Sequence, residues 1–497
     1  MANITMDKSG EASSSGFRSA THKRLEPAWK ITADLWGSPL DIRKLEGEYL
    51  TKFNKEPAPK YKARLERSLM LNDFRTSIET MAGMVFRKDP KPEGLHDEID
   101  RLMTDIDLCG NSFWAWNQEK FAKFIRDGNG FIVIDAPPLK KDMQDRIDRG
   151  EEIRLDERWD DRPWWVYYHA SQIINCRYEK RGSETVFTQV TIAETVTLPD
   201  GEFGEKEVEQ HKILRPGSFE IRRKDEKSGE FVTVPGEGGK TNLDKIMIVP
   251  VIKDLATAPP LLTLAMLNIL HYNMTSNYDD AAYLVCVPLR VSKFDTKEDA
   301  DKASQMQIAS PGIGLKIWGQ HADVKYVEVA GTALERVEAR YQDIKREMTS
   351  IGVGMLAPSD IIGVRTATEV MDNAGQRQSK LAKLAREWAN AVEQALYMTA
   401  ELINEIKGQK IIDLENAEER TKMSLRVDYD RLTFSVEQLG FFNDMVDSGK
   451  LSLRTFLEWL PQVTDMPPGF DPEVELKRLA DVNRIETEPD DTDEAAE

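Results

Sequence analysis

The sequence predicts a mainly helical α+β fold, and three features of the chain carry that prediction. The N-terminal part has the pattern of several helices, the middle that of short strands, and the second half that of long amphipathic helices. Because turn residues and not helices separate the strands of the middle part, we expect antiparallel sheets. With 497 residues, 40% of them hydrophobic, the chain is long enough to bury a large core.

Helices dominate the first 130 residues. The third predicted helix ends before Pro90 and Pro92, since proline cannot continue a helix. After the fourth, the turn Asp127-Gly128-Asn129-Gly130 leads into a strand at residues 131–134. The predicted helices are residues 29–35, 41–50, 61–86 and 113–125.

The middle of the chain predicts an antiparallel sheet. Its apolar segments are short, and turn residues such as Gly217-Ser218 and Ser228-Gly229 separate several of them. The predicted strands are residues 164–168, 186–192, 208–214, 219–222, 231–234 and 246–252.

A helix is expected next, over residues 259–284, because Pro259 and Pro260 suit the first turn of a helix. A second group of strands follows, at residues 287–291, 313–318 and 325–329. Two long helices then begin at T-x-x-E capping boxes, Thr332 with Glu335 and Thr366 with Glu369. The first has a one-sided apolar stripe at Leu334, Val337, Tyr341, Ile344, Met348 and Ile351. The second has apolar residues at Val370, Ala374, Leu381, Leu384, Trp388, Val392, Leu396 and Ile403.

Residues 352–365 break these two helices apart, because three glycines and Pro358 deny the segment helical continuity. Smaller helices are expected at residues 435–447, at 452–460 and after Asp471. The last twelve residues, 486–497, contain seven acids and are expected to be disordered.

The composition argues against several classes of protein. A net charge of −19 disfavours a surface that grips nucleic acid, although it allows DNA to pass without sticking. Cys109, Cys176 and Cys286 lie far apart, which suggests neither a disulfide framework nor a zinc site and fits a reducing cytoplasm. The most apolar run, residues 258–270, is too short to span a bilayer, and residues 1–10 do not resemble a signal peptide. We therefore expect no membrane association and no cofactor.

Motifs of catalysis are incomplete in this chain. Residues 236–241 (GEGGKT) approach a phosphate-binding loop, but the pattern needs glycine where Val234 stands, so a surface hairpin is favoured. The six histidines lack metal-ligand spacing. The acid pairs Asp105 with Asp107 and Asp428 with Asp430 are more often turn or surface acids than magnesium ligands. The aromatic residues Phe113, Trp114 and Trp116 are expected in the core rather than stacked on bases.

The order of elements resembles the portal proteins of tailed double-stranded DNA bacteriophages, over roughly residues 61–483. Short local likenesses occur in the same order as in one portal subfamily. They are residues 64–68 (RLERS), 83–88 (GMVFRK), 171–175 (SQIIN), 366–369 (TATE) and 447–452 (DSGKLS).

The resemblance implies a non-enzymatic subunit of a ring, usually of twelve copies, with long stem and crown helices and antiparallel strands in the wing and clip. Carried over, the regions are an N-terminal arm (1–60), wing (61–174 and 286–351), a sheet-rich segment with the clip (175–252), stem (253–285), tunnel loop (352–365), long helix and crown (366–485) and tail (486–497). The implied stem residues are Pro259, Pro260, Leu264, Leu267 and Tyr272. The implied tunnel-loop residues are Gly352, Gly354, Met355, Leu356, Pro358, Asp360, Ile361, Ile362, Gly363 and Arg365.

The resemblance also implies partners and a location. The partners would be further copies of the chain, the major capsid protein, the terminase large subunit, an adaptor or head-completion protein, and DNA that passes without sequence specificity. The location would be the capsid vertex of the virion, and the host cytoplasm during assembly. Two alternatives stay open: a coiled-coil scaffold or adaptor protein built on the 334–351 stripe, and a magnesium-dependent nuclease that uses the paired acids.

Overall fold

The computed structural model is a mainly helical α+β protein with antiparallel sheets, which confirms the predicted fold class. It describes residues 14–87, 92, 95–136, 162–182, 184–225, 228–235, 237–240, 243–286, 289–293, 296, 298, 323–327, 332–352, 367–407, 412–413, 423, 425, 446, 448, 450, 452–457 and 471–478. The predicted strand 313–318, nearly all of the predicted helix 435–447 and the tail 486–497 lie outside these residues.

The chain divides into two compact units, Met1–Val427 and Asp428–Glu497. In the second unit, short helices are described at residues 453–457 and 472–478. The Ser452 hydroxyl accepts a hydrogen bond from the backbone N–H three residues on (3.1 Å). The Asp471 carboxylate accepts one from the N–H two residues on (2.8 Å). Both predicted helix starts are therefore confirmed.

The first unit begins with a group of helices that are started by side-chain caps. These are α1 (Ala20–Asp34), α2 (Pro39–Lys44), α3 (Ala58–Arg67), α4 (Asp73–Val85), α5 (Asp97–Asp100) and α6 (Phe113–Asp127). Ser19, Ser38, Asn72 and Ser112 each accept a hydrogen bond from a backbone N–H in the first turn of α1, α2, α4 and α6. The cap at Ser19 starts α1 nine residues before the predicted position.

The single helix predicted over residues 61–86 is wrong, because the chain leaves helical geometry at Ser68 (ψ 133°) and re-enters it only after Asn72. The Asn72 amide donates hydrogen bonds to Leu35 O (2.8 Å) and Gly37 O (3.2 Å). Its carbonyl oxygen caps α4. Apolar residues on both sides of the break keep a helical repeat in the sequence, which concealed the break.

Three antiparallel sheets are described. The strands are β1 (Gly130–Asp135), β2 (Trp164–His169), β3 (Ile173–Arg181), β4 (Glu184–Asp200), β5 (Gly204–Arg215), β6 (Ser218–Lys224), β7 (Phe231–Thr233), β8 (Gly239–Lys240), β9 (Ile248–Pro250), β10 (Leu289–Lys293) and β11 (Asp323–Val327). One sheet has the order β2-β1-β9 and another pairs β10 with β11. The largest has the order β3-β4-β5-β6-β7, and β8 pairs with β6.

The three-stranded and six-stranded sheets share one hydrophobic cluster. Phe131 and Val133 of β1 lie in it with Val190 and Ile192 of β4, and the last two are fully buried. Burying four such side chains contributes on the order of 6–12 kcal/mol. The cluster therefore fixes the base of the large sheet against the rest of the unit.

Three strands of the large sheet, β4, β5 and β6, are longer than predicted, and β3 and the two-residue β8 were missed. The β4–β5 ladder runs without a break from Val190 opposite Leu214 to Asp200 opposite Gly204. The outer part of β3, from Arg177 onward, is exposed. Exposed charged residues carry no hydrophobic alternation, so the sequence pattern could not reveal these parts.

Three long helices form the second half of the unit. They are α7 (Leu262–Cys286), α8 (Thr332–Ile351) and α9 (Ala367–Lys407). Both ends of α7 lie within three residues of the prediction, and α8 and α9 begin within one residue of their predicted capping boxes. Pro259 and Pro260 immediately precede α7 rather than lying within its first turn. Among the described residues, no helix is both long and apolar enough to cross a membrane.

The centre of the apolar stripe of α8 and the described apolar side chains of α9 pack within the unit. Ile344 and Met348 of the predicted stripe are fully buried where α8 packs on α7. Trp388 of α9 is also fully buried, within 6.3 Å of the rings of Trp116 and Phe121. Its indole N–H donates to the Asn117 side chain (2.9 Å). Aromatic clusters of this kind stabilise cores beyond the area that they bury.

Candidate functional site

Helix α7 contains three of the five predicted stem residues, Leu264, Leu267 and Tyr272, and its inward side is held by polar contacts. Asn268 is fully buried; its amide donates to Leu71 O (2.7 Å), and its carbonyl oxygen accepts from Phe74 N (3.0 Å). The Asn273 amide donates to Tyr49 O (2.6 Å), and its carbonyl oxygen accepts from Thr51 N (2.9 Å). Both side chains satisfy backbone groups that irregular segments leave without a partner.

A buried ion pair lies beside Ser276 of α7. The Arg64 guanidinium is 1% exposed and donates to both carboxylate oxygens of Glu56 (3.0 and 2.8 Å). It also donates to Thr51 O (2.8 Å) and to the Ser276 hydroxyl (3.2 Å), which in turn accepts from Ser68 (2.7 Å). The hydrogen bonds from Arg64 lower the pKa of Glu56 below its ordinary value. A buried charge with all its donors paired is stable, whereas removal of one partner leaves the other uncompensated.

Asp280 adds a third contact one turn further along α7. Its nearly buried carboxylate accepts from Lys60 (3.2 Å) and Arg67 (3.3 Å) of α3. We call Asn268, Asn273, Ser276 and Asp280 the polar seam of α7. The sequence analysis missed the seam, although polar residues recurring within an apolar helix were visible and indicated a polar contact face.

The predicted stem residues divide between core and boundary. Leu264 and Tyr272 are buried, at 0% and 2% exposed, and Pro259 is buried in front of the helix. Pro260 and Leu267 are half-buried. The exposed side of α7 instead presents Met266 (57% exposed) and Leu270 (42%), residues that the sequence analysis did not name.

The turn at residues 127–130 holds the start of the α7 segment. The Asn129 side chain donates to Ile252 O and accepts from Ile252 N, both at 2.9 Å. Gly128 has φ +78°, and an added Cβ would lie 2.5 Å from Ala258 O. Glycine is therefore required there both by conformation and by close approach.

A small ionic cluster sits behind this turn. The Asp127 carboxylate accepts from the Arg126 guanidinium (2.6 and 2.8 Å) and contacts His169 Nδ1 (2.7 Å). Its backbone carbonyl accepts from the Trp29 indole N–H (3.0 Å). Asp127 thereby links α1, α6 and the end of β2, so its pair with His169 has a structural role.

Gly352 is the one predicted tunnel-loop residue that lies among the described residues. It is buried, and its N–H donates to Met348 O (2.8 Å). An added Cβ would lie 2.0 Å from the Ser77 hydroxyl oxygen of α4. The end of α8 is therefore packed closely on α4. Gly354, Met355, Leu356, Pro358, Asp360, Ile361, Ile362, Gly363 and Arg365 lie outside the described residues.

The near-motifs have structural roles where they are described. Asp107 accepts from Cys109 N (3.0 Å) and from the Asn111 amide (2.8 Å), and Asp105 pairs with Arg162. Both carboxylates thus serve a turn. Asp428 and Asp430 lie outside the described residues. Within the described part of the chain, no group of three or more metal-ligating side chains occurs.

Two other interpretations can be checked directly. Phe113 and Trp116 are 5% and 1% exposed, which confirms their predicted core position. Trp114 packs edge-on against Phe86 at 5.1 Å. In the segment that resembles a phosphate loop, residues 239–240 pair with β6, and the next described element is the strand β9 rather than a helix.

The chain is similar to one protein family model and to several solved structures. Residues 260–403, from just before α7 to near the end of α9, match a family model described as a domain of unknown function (DUF4055). No curated protein matches the chain. One similar solved chain belongs to the virion of a native gene transfer agent (GTA) particle, at a TM-score of 0.40 and 9% identity, covering 86% of this chain and 99% of that one.

Another similar chain belongs to the neck of an empty GTA particle computed with C6 symmetry. Its TM-score is 0.40 and its identity 11%, covering 80% of this chain and 91% of that one. At this TM-score neither likeness establishes a common fold. The matched family description names no function.

Proposed function

We propose that this chain is the portal subunit of a phage-like particle: a non-enzymatic protein whose ring forms the channel for DNA packaging, retention and ejection. The observation that carries the proposal is the order of the described elements. A large antiparallel sheet precedes α7, and the β10–β11 pair, α8 and the 41-residue α9 follow it. This is the order on which the portal resemblance rests.

The chemistry of α7 supports a channel role. Leu262–Cys286 contains no lysine or arginine, and its exposed side presents Met266 and Leu270. Each phosphate that a cation neutralises adds affinity for DNA, so a surface without cations lets DNA slide. The polar seam fixes the opposite side of α7 to α3 and α4, which would keep a channel helix from moving with the DNA.

The packing of α8 favours this proposal over the coiled-coil alternative. A coiled coil needs a free apolar stripe for a partner helix. The buried centre of the stripe, Ile344 and Met348, already packs within the chain.

The deciding experiment is negative-stain imaging and native mass measurement of the purified chain. A portal subunit gives closed rings with a central hole, because heterologous contacts between copies close on themselves. A strictly monomeric mass at micromolar concentration in several salts would refute the proposal. DNA cleavage with magnesium that one point substitution in this chain abolishes would instead favour the nuclease alternative.

The channel loop is part of the proposal. We place residues 353–365 at the channel, after the end of α8 that Gly352 anchors on α4. Replacement of residues 355–362 by a Gly-Ser linker should leave rings intact but impair filling or retention of DNA in heads. Wild-type filling and retention would show that the loop has no part in packaging.

A further inference from the structure

The hairpin of β4 and β5 projects from the large sheet. β3 pairs with β4 only as far as Ile192, and β6 pairs with β5 only from Gln210 onward. Beyond these positions β4 and β5 pair only with each other among the described residues. The six β4 residues from Thr195 to Asp200 lie beyond both pairings, so at about 3.3 Å per residue they extend roughly 20 Å beyond the sheet.

The tip of this hairpin combines an exposed aromatic ring with acids. Phe203 is 90% exposed, the highest value among the large hydrophobic residues of the described chain. Glu205, Glu207 and Glu209 alternate along β5 and therefore lie on one face, where Glu209 pairs with Lys224. Asp200 precedes the turn and Glu202 lies in it. We call these residues the acidic tip. Such a ring, surrounded by acids, suits an apolar pocket with a cationic rim.

A pocket that combines aromatic and cationic side chains with serines and one acid, Glu230, lies at the base of the same sheet. It has a volume of about 670 Å³ and is lined in part by Phe17, Arg18, Lys23, Arg222 and Phe231. A smaller cavity of about 220 Å³ shares Phe17 and Arg222 with it. Arg177 and Arg215 also line this second cavity. We call the two together the cationic pocket.

Three of the five cations of the cationic pocket are in ion pairs: Arg18 with Glu26, and Arg215 and Arg222 with Glu220. The other two have no ion pair among the described residues, in a chain whose net charge is −19. No ion pair is described for Lys23, which lies 5.9 Å from the ring centre of Phe17, and none is described for Arg177. Cations that lack a partner at an aromatic pocket attract an acidic, aromatic ligand.

The tip and the pocket of one chain cannot meet. Phe203 is eight residues from His211, which stacks on Phe231 at the pocket, and an unbroken ladder holds them roughly 26 Å apart. We propose that the acidic tip of one copy docks in the cationic pocket of the next copy, with Phe203 between Phe17 and Phe231. The contact joins two different surfaces, so it propagates around a ring. The inference rests on the proposed ring function.

Photo-crosslinking of the full-length chain tests the contact. A benzoylphenylalanine replaces Phe203, rings are assembled and irradiated, and the crosslinked peptides are identified by mass spectrometry. The expected product joins position 203 to peptides that contain Phe17 or Phe231 of another copy. The same probe at Tyr178, which is 61% exposed on β3, is the matched control and should not give that product.

Charge variants test the contact independently. Glu205→Lys in the tip and Lys23→Glu in the pocket should each raise the concentration needed for assembly about tenfold or more, and the double variant should recover most of the loss. An equimolar mixture of Glu205→Lys and Lys23→Glu chains should also recover assembly, because every tip then finds a pocket of opposite charge on the other chain. The recovered rings should contain the two chains in equal amounts. Glu405→Lys, an exposed acid of α9, is the control and should assemble as the wild type does.

The outcomes separate this inference from the proposed function. Rings whose position 203 crosslinks elsewhere, or only to a different protein, overturn the docking and leave the portal proposal standing. If the Glu205→Lys and Phe203→Ala chains form rings at the concentration that the wild type needs, the docking is also overturned and the portal proposal still stands. A wild-type chain that stays monomeric overturns both.

Discussion

The polar seam of α7 and the acidic tip of the β4–β5 hairpin use polar residues in opposite ways. In the seam, Asn268 and Ser276 are buried and hydrogen-bonded within the chain. At the tip, Phe203 and the surrounding acids extend into solvent away from the rest of the sheet. Polar side chains of the seam therefore stabilise the subunit itself, whereas the exposed acids at the tip are accessible to another molecule.

The largest effect is expected at the buried ion pair beside the polar seam. Arg64→Ala leaves the Glu56 carboxylate, 1% exposed, without its cationic partner. The free energy of unfolding should fall by about 3–5 kcal/mol, because an uncompensated charge then remains buried. Urea denaturation measures the loss. Arg67→Ala removes a half-exposed partner of Asp280 and should cost less than about 1 kcal/mol. Equal losses of unfolding free energy in the two variants would contradict the view that the buried pair matters more than the exposed one.

The next effect is a dependence on pH that arises at His211, at the base of the hairpin. Burial lowers the pKa of His211 to about 4 from its ordinary 6.5. Below pH 6.5 the unfolded chain therefore binds a proton that the folded chain does not. Stability is complete above pH 6.5 and should fall by about 2–3 kcal/mol as the pH drops to 4.

Stability of wild type and His211→Gln at several pH values tests this assignment. The variant should lose part of the slope between pH 4 and 6.5. Glu209, Arg18, Arg222 and Lys224 also act on the charge of His211, so the pH series should be repeated at high salt. An unchanged slope in the variant would exclude His211 as the source. The same pH series on His96→Gln controls for the loss of a histidine as such, and its slope should match that of the wild type.

Gly352→Ala tests the close packing of α8 on α4. The added methyl would lie 2.0 Å from the Ser77 hydroxyl oxygen, so the free energy of unfolding should fall by about 1–3 kcal/mol. Ser77→Ala in the same chain removes the nearer clash and should return part of the loss, which a double-mutant cycle measures. Gly83→Ala, with nothing within 4 Å, should stabilise α4 by about 0.5–1 kcal/mol. An unchanged free energy of unfolding for Gly352→Ala would contradict the close approach of Gly352 to Ser77.

The smallest effect is expected at the tip. Phe203→Ala removes a ring that is 90% exposed, so the free energy of unfolding of the isolated subunit should change by less than about 0.5 kcal/mol. Thermal unfolding measures it. A large loss would show that the ring packs within its own chain.

Sequence reasoning succeeded where the signal was local. The apolar stripe of α8 placed Ile344 and Met348 on the buried side, and Ser452 and Asp471 marked helix starts. It failed at residues 61–86, where an apolar repeat ran through a break that Asn72 stabilises by bonding to a distant connection. The predicted channel loop stays a prediction after Gly352, because residues 353–365 lie outside the described residues.

The amino-acid sequence by itself determined the mainly helical α+β class, the long helices α7 to α9 and the absence of cations from α7. Periodicity, caps and composition are properties of neighbouring residues, so they can be read along the chain. Only the tertiary structure decided that Asn268 and Ser276 face α4 and α3, that Gly352 meets Ser77, and that the hairpin tip lies far from the cationic pocket along the β4–β5 ladder. Those facts depend on contacts between residues far apart in sequence, which no local pattern encodes.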